Sequence, residues 1–544
     1  MQKKQTILVV ASLLVVVLSV SLAYFTAQII GKGKDVTINS ADLKIIFTDS
    51  DGAISGSNIE PGWSDTKTFT VENKSNETYK YNIVIQDLIN TFVTNGYLQY
   101  KITSTNNGYN MTEFKDVPKS ETATDTILAY SVSIPLGVTQ SYTIEFKYAN
   151  DESVDQSEDM GKTLNGTLYI EKGTLQPTLA EKLLANNSTI KTRTDFNTTF
   201  TETNTGTLYK ATESIAGNTP KDVYYFAGDA KNNWVKFGKY KNNGPILGYN
   251  ENGSFKEYTS LDTCNSASSY NLNCSYAWEK GDSMYWRVIR TNHDGSIRLL
   301  YSGTSPDTTE GYIGRSAFNT TNNDPMYVGY KYGTSGSLEN NRLNTNNSTI
   351  KTYIDNWYNN NLSSYSKYIS IEAVYCNDRE LATDQTYSTS SGFNYAPRGR
   401  LGTNKTPTYN CTNNKDAFSG NNNEAKLTYP IGLMTADELA YAGGKTGTVL
   451  PSPYAWYYLN SAGESITGKN YWWSLSPYNW LGSISYVWIV TGSTSFPGNL
   501  GYGNVYYTSE VARPAISLKT CTLWTSGNGA PETPYEIQET ESGC

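Results

Sequence analysis

Covalent chemistry in this chain rests on six cysteines, at positions 264, 274, 376, 411, 521 and 544. None stands in a Cys-x-x-Cys pair, so the spacing of a two-cysteine zinc ligand set or a dithiol redox motif is missing. In an exported chain an even, scattered set reads as disulfides. Six cysteines allow fifteen pairings, and the local choice joins Cys264 to Cys274, Cys376 to Cys411 and Cys521 to Cys544. One histidine, His293, serves 544 residues, which removes most metal sites and most histidine-based catalysis. It stands in Asn292-His293-Asp294-Gly295 and reads as an exposed turn residue, not a general base. A His-Glu-x-x-His helix needs a second histidine, and no phosphate loop or nucleophile elbow stands out. Asp49-Ser50-Asp51-Gly52 lacks the EF-hand spacing and reads as an Asp-Gly turn. The expectation is therefore no catalytic residue, no metal and no cofactor; a hydrolase would need a carboxylate pair to which no motif points.

The other chemistry is recognition. Between Leu475 and Ser509 there is no Asp, Glu, Lys, Arg, Gln, His or Met, whereas a chain that is 17% charged would place about six charged residues there. The segment is built from Tyr, Asn, Ser, Gly and Thr with Trp480, Trp488 and Phe496. Tyr and Trp supply rigid contact area, while Ser, Gly and Asn supply adaptable hydrogen bonds. The candidate ligand-binding residues are Tyr478, Asn479, Trp480, Leu481, Ser483, Ser485, Thr491, Ser493, Phe496, Asn499, Tyr502, Asn504, Tyr506 and Tyr507. Trp472, Trp473, Val487 and Trp488 read as core beneath them.

The composition has the same polarity without charge. There are 44 Tyr and 44 Gly, and aromatics make up 13% of the chain, at a mean hydropathy of −0.50. That many aromatics can bury a core, so the chain is not read as disordered. A net charge of −8 argues against a nucleic-acid partner, which calls for excess Lys and Arg. At the N-terminus, Met1-Gln2-Lys3-Lys4 precedes an uncharged run from Ile7 to Phe25, with small residues at Ser21 and Ala23. This is the layout of a secretory signal cleaved after Ala23; an uncleaved anchor over Ile7–Ile30 is the alternative. No C-terminal hydrophobic tail or sorting signal is present.

These residues need elements to hold them. From Asp35 to about Gly173 short alternating runs recur, as in Leu43–Phe47, Lys67–Val71, Tyr79–Ile85, Tyr142–Phe146 and Thr167–Ile170, separated by Asn-, Gly- and Asp-rich turns. Such runs predict an antiparallel β-sandwich over 31–173. Thr178 and Glu181 form a capping box that opens a short helix, and 186–207 reads as a polar linker, so 174–207 separates two domains. The heptapeptide Asn-Asn-Ser-Thr-Ile-Lys-Thr occurs at both 186–192 and 346–352, and its second copy opens a helix with Ile350, Ile354, Trp357 and Leu362 near one face. A hairpin is expected over Ser283–Tyr301, a capped helix at Thr435–Ala442 stopped by Gly443, and two closing strands after Val511. Ten of the eleven tryptophans lie between Trp234 and Trp524. The fold class expected is multidomain, an all-β sandwich followed by an α+β module over 208–544.

Two resemblances add to this reading. Ala23-Tyr24-Phe25, Ser40-Ala41-Asp42-Leu43-Lys44-Ile45, Pro61-Gly62 and Phe69-Thr70-Val71-Glu72-Asn73 together resemble the TasA/camelysin family of Gram-positive secreted proteins. That resemblance implies a jelly-roll sandwich, processing by a dedicated signal peptidase and assembly into biofilm fibres; zinc proteolysis, a label carried by some members, is rejected for want of histidines. Tyr285-Trp286-Arg287-Val288-Ile289-Arg290, the run Leu427–Glu438, Tyr471-Trp472-Trp473-Ser474-Leu475-Ser476-Pro477 and Arg513-Pro514-Ala515-Ile516-Ser517-Leu518 resemble a Gram-positive surface module of unknown function. The last part is also similar to the C-type-lectin-fold variable proteins of diversity-generating retroelements. That likeness implies a C-type-lectin-like module whose surface at 475–510 is rewritten by adenine-directed mutagenesis. Leu481, Ser483, Ser485, Thr491, Phe496, Tyr502, Tyr506 and Tyr507 are all reachable from an Asn codon by changing adenines alone. The calcium motifs of lectins and the reactive cysteine pair of formylglycine-generating enzymes are absent from the sequence. The expected function is a secreted or cell-surface binding protein, adhesin-like, whose partner is a protein or glycan on a host, phage or neighbouring cell. The alternative is a structural matrix protein that self-assembles through its sandwich and has no specific ligand.

Overall fold

The structure is a computed structural model that describes residues 36–543 apart from 41–42, 50–53, 57–60, 76, 95, 160, 199, 201, 251–254, 268–272, 448 and 541–542, with side chains from residue 61 onward. The secretory signal expected over 1–30, residues 50–52 of the expected Asp-Gly turn and Cys544 lie outside the described residues. The chain divides into two compact units, Met1–Gln176 and Pro177–Cys544. Among the described residues no helix is long and apolar enough to cross a membrane.

The first unit consists of two antiparallel sheets. One runs in the order Val36–Ser40, Leu43–Asp49, Ser64–Asn73, Thr139–Tyr148, Leu98–Ser104, Lys115–Asp116, and the other Ile54–Gly56, Leu164–Lys172, Tyr79–Asn90, Ser120–Ile134. Alternation decides which side chains turn inward: along Thr139–Tyr148 every second residue is buried, as a strand's period of two requires. Val71, Ile102 and Ile144 of the first sheet and Ile83, Val132 and Leu168 of the second fall in one hydrophobic cluster, so the sheets pack face to face. At its polar end the Tyr81 hydroxyl donates to Gln140 Oε1 at 2.6 Å, which satisfies a buried phenol that would otherwise cost more than it contributes. The five strands expected here all form; Leu98–Ser104 and Ser120–Ile134 carry no sufficient pattern in the sequence.

The second unit is built on a mixed sheet. The expected hairpin pairs Ser283–Thr291 with Ile297–Tyr301, and the second of these strands continues to Pro514–Leu518. Trp234–Lys239 lies beside the first, and takes Tyr535–Ile537 in parallel on its other side. The helix Thr349–Asn361 buries Ile350, Ile354 and Trp357. These join one cluster that also holds Trp286, Trp456, Trp472, Trp473, Trp480 and Trp488.

The boundary differs from the expected one. The helix Leu179–Asn186 has the capping box of Thr178 and Glu181, but it is not part of a linker. Leu179 and Leu183 are buried in the core of the second unit, and Asn187 donates to the Leu183 carbonyl. Thr189–Thr192 pairs in parallel with Thr207–Lys210, and Thr203–Asn204 with Asp229–Ala230. Residues 177–207 therefore belong to the second unit. Their polar composition marks an edge strand exposed along its length, not a solvated spacer.

The two copies of the heptapeptide adopt different structures. In the first, Thr189–Thr192 is a strand; in the second, Ser348 caps a helix, its hydroxyl accepting from Lys351 N at 3.2 Å. The difference lies in the flanking residues. Tyr353 to Asn361 continues with apolar residues at helical spacing, whereas Arg193-Thr194-Asp195 does not, so packing decides between two locally permitted backbones.

Two disulfides are described, Cys264–Cys274 and Cys376–Cys411, as the local pairing expected. Cys521 is also disulfide-bonded; its expected pairing with Cys544 lies outside the described residues. The Cys376–Cys411 bridge spans 35 residues, so cross-linking removes about 4 kcal/mol of unfolded-state entropy against about 3 kcal/mol for a ten-residue loop. Replacing Cys376 and Cys411 by Ala should lower the stability of the second unit by about that larger amount, which chemical denaturation would measure.

Candidate ligand-binding surface

Residues 472–504 form a meander. Trp472–Trp480, Ser485–Val490 and Leu500–Asn504 are successive antiparallel strands, with Phe393–Asn394 on the outer edge of the first. The turn Leu481–Ile484 is closed by the Leu481 amide on the Ile484 carbonyl at 3.0 Å, and Gly482 takes the positive φ of 82° there. Register sorts the side chains. Tyr486 opposes Asn504 and Trp488 opposes Tyr502, so these four share one face. On the other face a Cβ at Gly503 would come to 3.0 Å from the Trp473 ring, so a larger residue there would have to push that buried indole aside.

The shared face is an aromatic platform. The Tyr478 and Tyr502 rings stack at 4.4 Å and 12°, Tyr486 meets Tyr502 edge-on at 5.6 Å, and Trp488 meets Tyr478 edge-on at 4.7 Å. Such offset and edge contacts hold ring orientation and so leave little side-chain entropy to lose on binding. The Arg398 guanidinium lies 4.6 Å over the Tyr478 ring and donates to Asn394 Oδ1. Burial pushes the Tyr478 hydroxyl above its ordinary pKa, with Arg398 opposing the rise. Burial does the same at Tyr486, where the hydroxyls of Tyr507 and Tyr502 add to it. The phenols therefore stay neutral donors and acceptors at physiological pH.

The candidate residues divide by exposure. Leu481 (56%), Tyr502 (54%), Ser483, Phe496, Tyr506 and Tyr507 are exposed, and Tyr478, Thr491, Ser493 and Asn504 are half-buried. Asn479, Trp480, Ser485 and Asn499 are buried. Ser485 donates from its hydroxyl to the Asp324 carbonyl at 2.7 Å, and Trp480 is core, so these four shape the sheet and offer no surface to a ligand. Composition could not separate them, because it does not report register. Two members of the platform escaped the sequence reading. Tyr486 is signalled by its period of two with Trp488; Arg398 comes from a distant loop and carries no local signal.

A buried charge network fixes the platform from below. The helix Ala436–Ala442 opens on the capping box of Thr435 and Glu438, and the Ala436 amide donates to Ser476 Oγ in the first strand of the meander at 3.0 Å. Glu438 Oε1 accepts from Arg290 Nε at 2.9 Å and Arg298 Nη1 at 2.8 Å, and Arg290 reaches Glu213 at 2.8 Å. Beside it Arg400 holds Asp437 and Asp378, each at 2.7 Å. Burial alone would raise the Glu213 carboxyl, but Arg290, the His293 hydrogen bond and Arg298 outweigh it and bring it from 4.5 to about 2. Both Glu213 and Glu438 are thus committed to arginines, and His293 is half-buried with its amide on Glu213 at 2.6 Å. Among the described residues no three His, Cys, Asp or Glu side chains gather as a metal site.

The Glu213 shift fixes a pH dependence. Its contribution is complete above the unfolded-state pKa of 4.5 and disappears as pH falls through about 2. Thermal unfolding of the second unit should therefore shift to lower temperature on acidification below about pH 4.5.

A β-rich chain of two units, the second disulfide-bonded and presenting an aromatic platform on a charge-free meander, is the class that fold and surface define. No family model and no curated protein matches the chain. Among solved structures it is similar to a chain from a study of a chaperone–tip adhesin complex in the biogenesis of CFA/I fimbriae. That likeness is 11% identity over 45% of this chain and 90% of the other, with a TM-score of 0.08, too slight to carry an argument.

Proposed function

We propose that this chain is a secreted or cell-surface binding protein, adhesin-like and without enzymatic activity, whose second unit binds a protein or glycan through the meander at 475–510. The observation that carries the reading is the platform of Tyr478, Tyr486 and Tyr502, in a stretch, 475–509, that holds no charged residue and also exposes Leu481, Phe496, Tyr506 and Tyr507. Isolated exposed aromatics are ordinary; rings stacked against one another on one sheet face are what interfaces use. The disulfides fit an oxidising compartment. In this reading the second unit is a C-type-lectin-like module akin to the diversified variable proteins, and the first is a jelly-roll of TasA/camelysin type that displays it.

One observation favours the matrix-fibre alternative. Among the described residues Ser120–Ile134 pairs only with Tyr79–Asn90 and lies at the edge of its sheet, and an open edge is a template for another strand. Labelled pieces of the chain distinguish the two readings on a panel of bacterial and animal cells. Saturable binding by 177–544 and none by 36–176 supports the adhesin; fibres formed by 36–176 with no binding by 177–544 supports the matrix protein.

A further inference from the structure

Outside the platform, a groove of about 370 Å3 opens where Arg315, Lys469, Asn470, Tyr471, Ser509 and Glu510 converge. Its walls are built, not incidental. Arg315 donates to the Phe255 carbonyl at 2.5 Å and to Asn470 Oδ1 at 2.7 Å, with its guanidinium 3.9 Å over the Phe255 ring. Asn470 is held in turn by the Thr467 carbonyl at 3.0 Å. Glu510 is buried, accepts from Ser509 Oγ at 2.9 Å, and its backbone carbonyl takes the Ser316 amide at 3.2 Å. Walls fixed in this way need little ordering when a ligand arrives.

The chemistry of the lining selects a ligand. A sugar hydroxyl is both donor and acceptor, so a sugar site needs both kinds of partner around one ring-sized space. Here Glu510 accepts, the Asn470 amide and the Ser493, Thr494 and Ser509 hydroxyls lie around the groove, and the exposed Tyr471 ring offers a flat wall. Charge narrows the class. The Arg315 guanidinium is engaged by the Phe255 carbonyl and Asn470 Oδ1, while Lys469 lines the groove, is exposed and makes no ion pair among the described residues. That lysine is the cation the lining leaves for an anionic group.

We propose that this groove is an acidic-sugar subsite: a pyranose lies against Tyr471, shares its hydroxyls with Glu510 and the hydroxyl–amide wall, and pairs its carboxylate with Lys469. The assignment goes beyond the aromatic platform and holds whether the larger ligand there is protein or glycan.

Methyl glucuronide and methyl glucoside, identical but for the carboxylate, test it by ligand-observed NMR titration of the whole protein. The glucuronide should bind more tightly than the glucoside. Lys469→Gln, at an exposed position that does not disturb folding, should weaken the glucuronide about fivefold, the size of one exposed ion pair, and leave the glucoside unchanged. Tyr471→Ala should weaken both. Tyr486→Ala/Tyr502→Ala should alter neither, which keeps this site distinct from the platform. The proposal is overturned if neither sugar binds, if Lys469→Gln leaves the glucuronide unaffected, or if the double tyrosine variant abolishes sugar binding.

Discussion

Glu438→Ala should strip the second unit of about 4–6 kcal/mol of stability at neutral pH. The substitution removes the acceptor shared by Arg290 and Arg298 and leaves Arg298, 1% exposed, without its carboxylate. Breaking a buried pair from one side costs about 3–5 kcal/mol because the remaining charge stays desolvated. The same carboxylate closes the capping box through the Thr435 amide at 2.9 Å, worth about another 1 kcal/mol. Total stability is about 5–15 kcal/mol, so the loss is a large share of it. Chemical denaturation followed by tryptophan fluorescence would show it, since ten of the eleven indoles report on this unit. Glu438→Gln retains an acceptor for Thr435 and one arginine and should fall between. Because the helix it caps holds Ser476, binding should be lost in proportion to folding.

The second large effect is separable from folding. Tyr486→Ala/Tyr502→Ala/Tyr507→Ala should reduce affinity for the proposed cell-surface ligand by more than about a hundredfold, since aromatic anchors at an interface each contribute about 2 kcal/mol or more. The unfolding midpoint should change little, because these rings are exposed or half-buried. Trp480→Ala and Trp488→Ala should do the reverse. Both indoles are 1% exposed, so truncation costs about 3–5 kcal/mol of stability and acts on binding only through unfolding. An equal loss of binding in a folded Trp480→Ala protein would return that residue to the ligand surface.

The contrast between Trp480 and Tyr502 shows what was legible in advance. The charge-free stretch located the meander because composition reports on segments. Which side chain faces outward depends on strand register and on the bulges at Pro477 and Asn479, which arise from packing over a long sequence distance. The local pairings Cys264–Cys274 and Cys376–Cys411, the hairpin at Ser283–Tyr301 and the capped helix at Ala436–Ala442 were readable, since each rests on residues close in sequence. The linker was not. Asn187 and Thr189–Thr192 look solvated in isolation, and only the partner strand at Thr207–Lys210 turns them into sheet. Arg398, Arg315 and the Arg290–Glu213–Glu438 network are likewise assembled across loops, and no local spacing announces them.

Oxidative footprinting of tyrosines on the whole protein, free and bound to the proposed cell-surface ligand, reads out which unit makes the contact. Protection should concentrate at Tyr478, Tyr486, Tyr502, Tyr506 and Tyr507, with the tyrosines of residues 61–176 unchanged. Protection confined to the first unit, or an unaltered pattern across 475–510 at saturating ligand, would contradict binding through the meander.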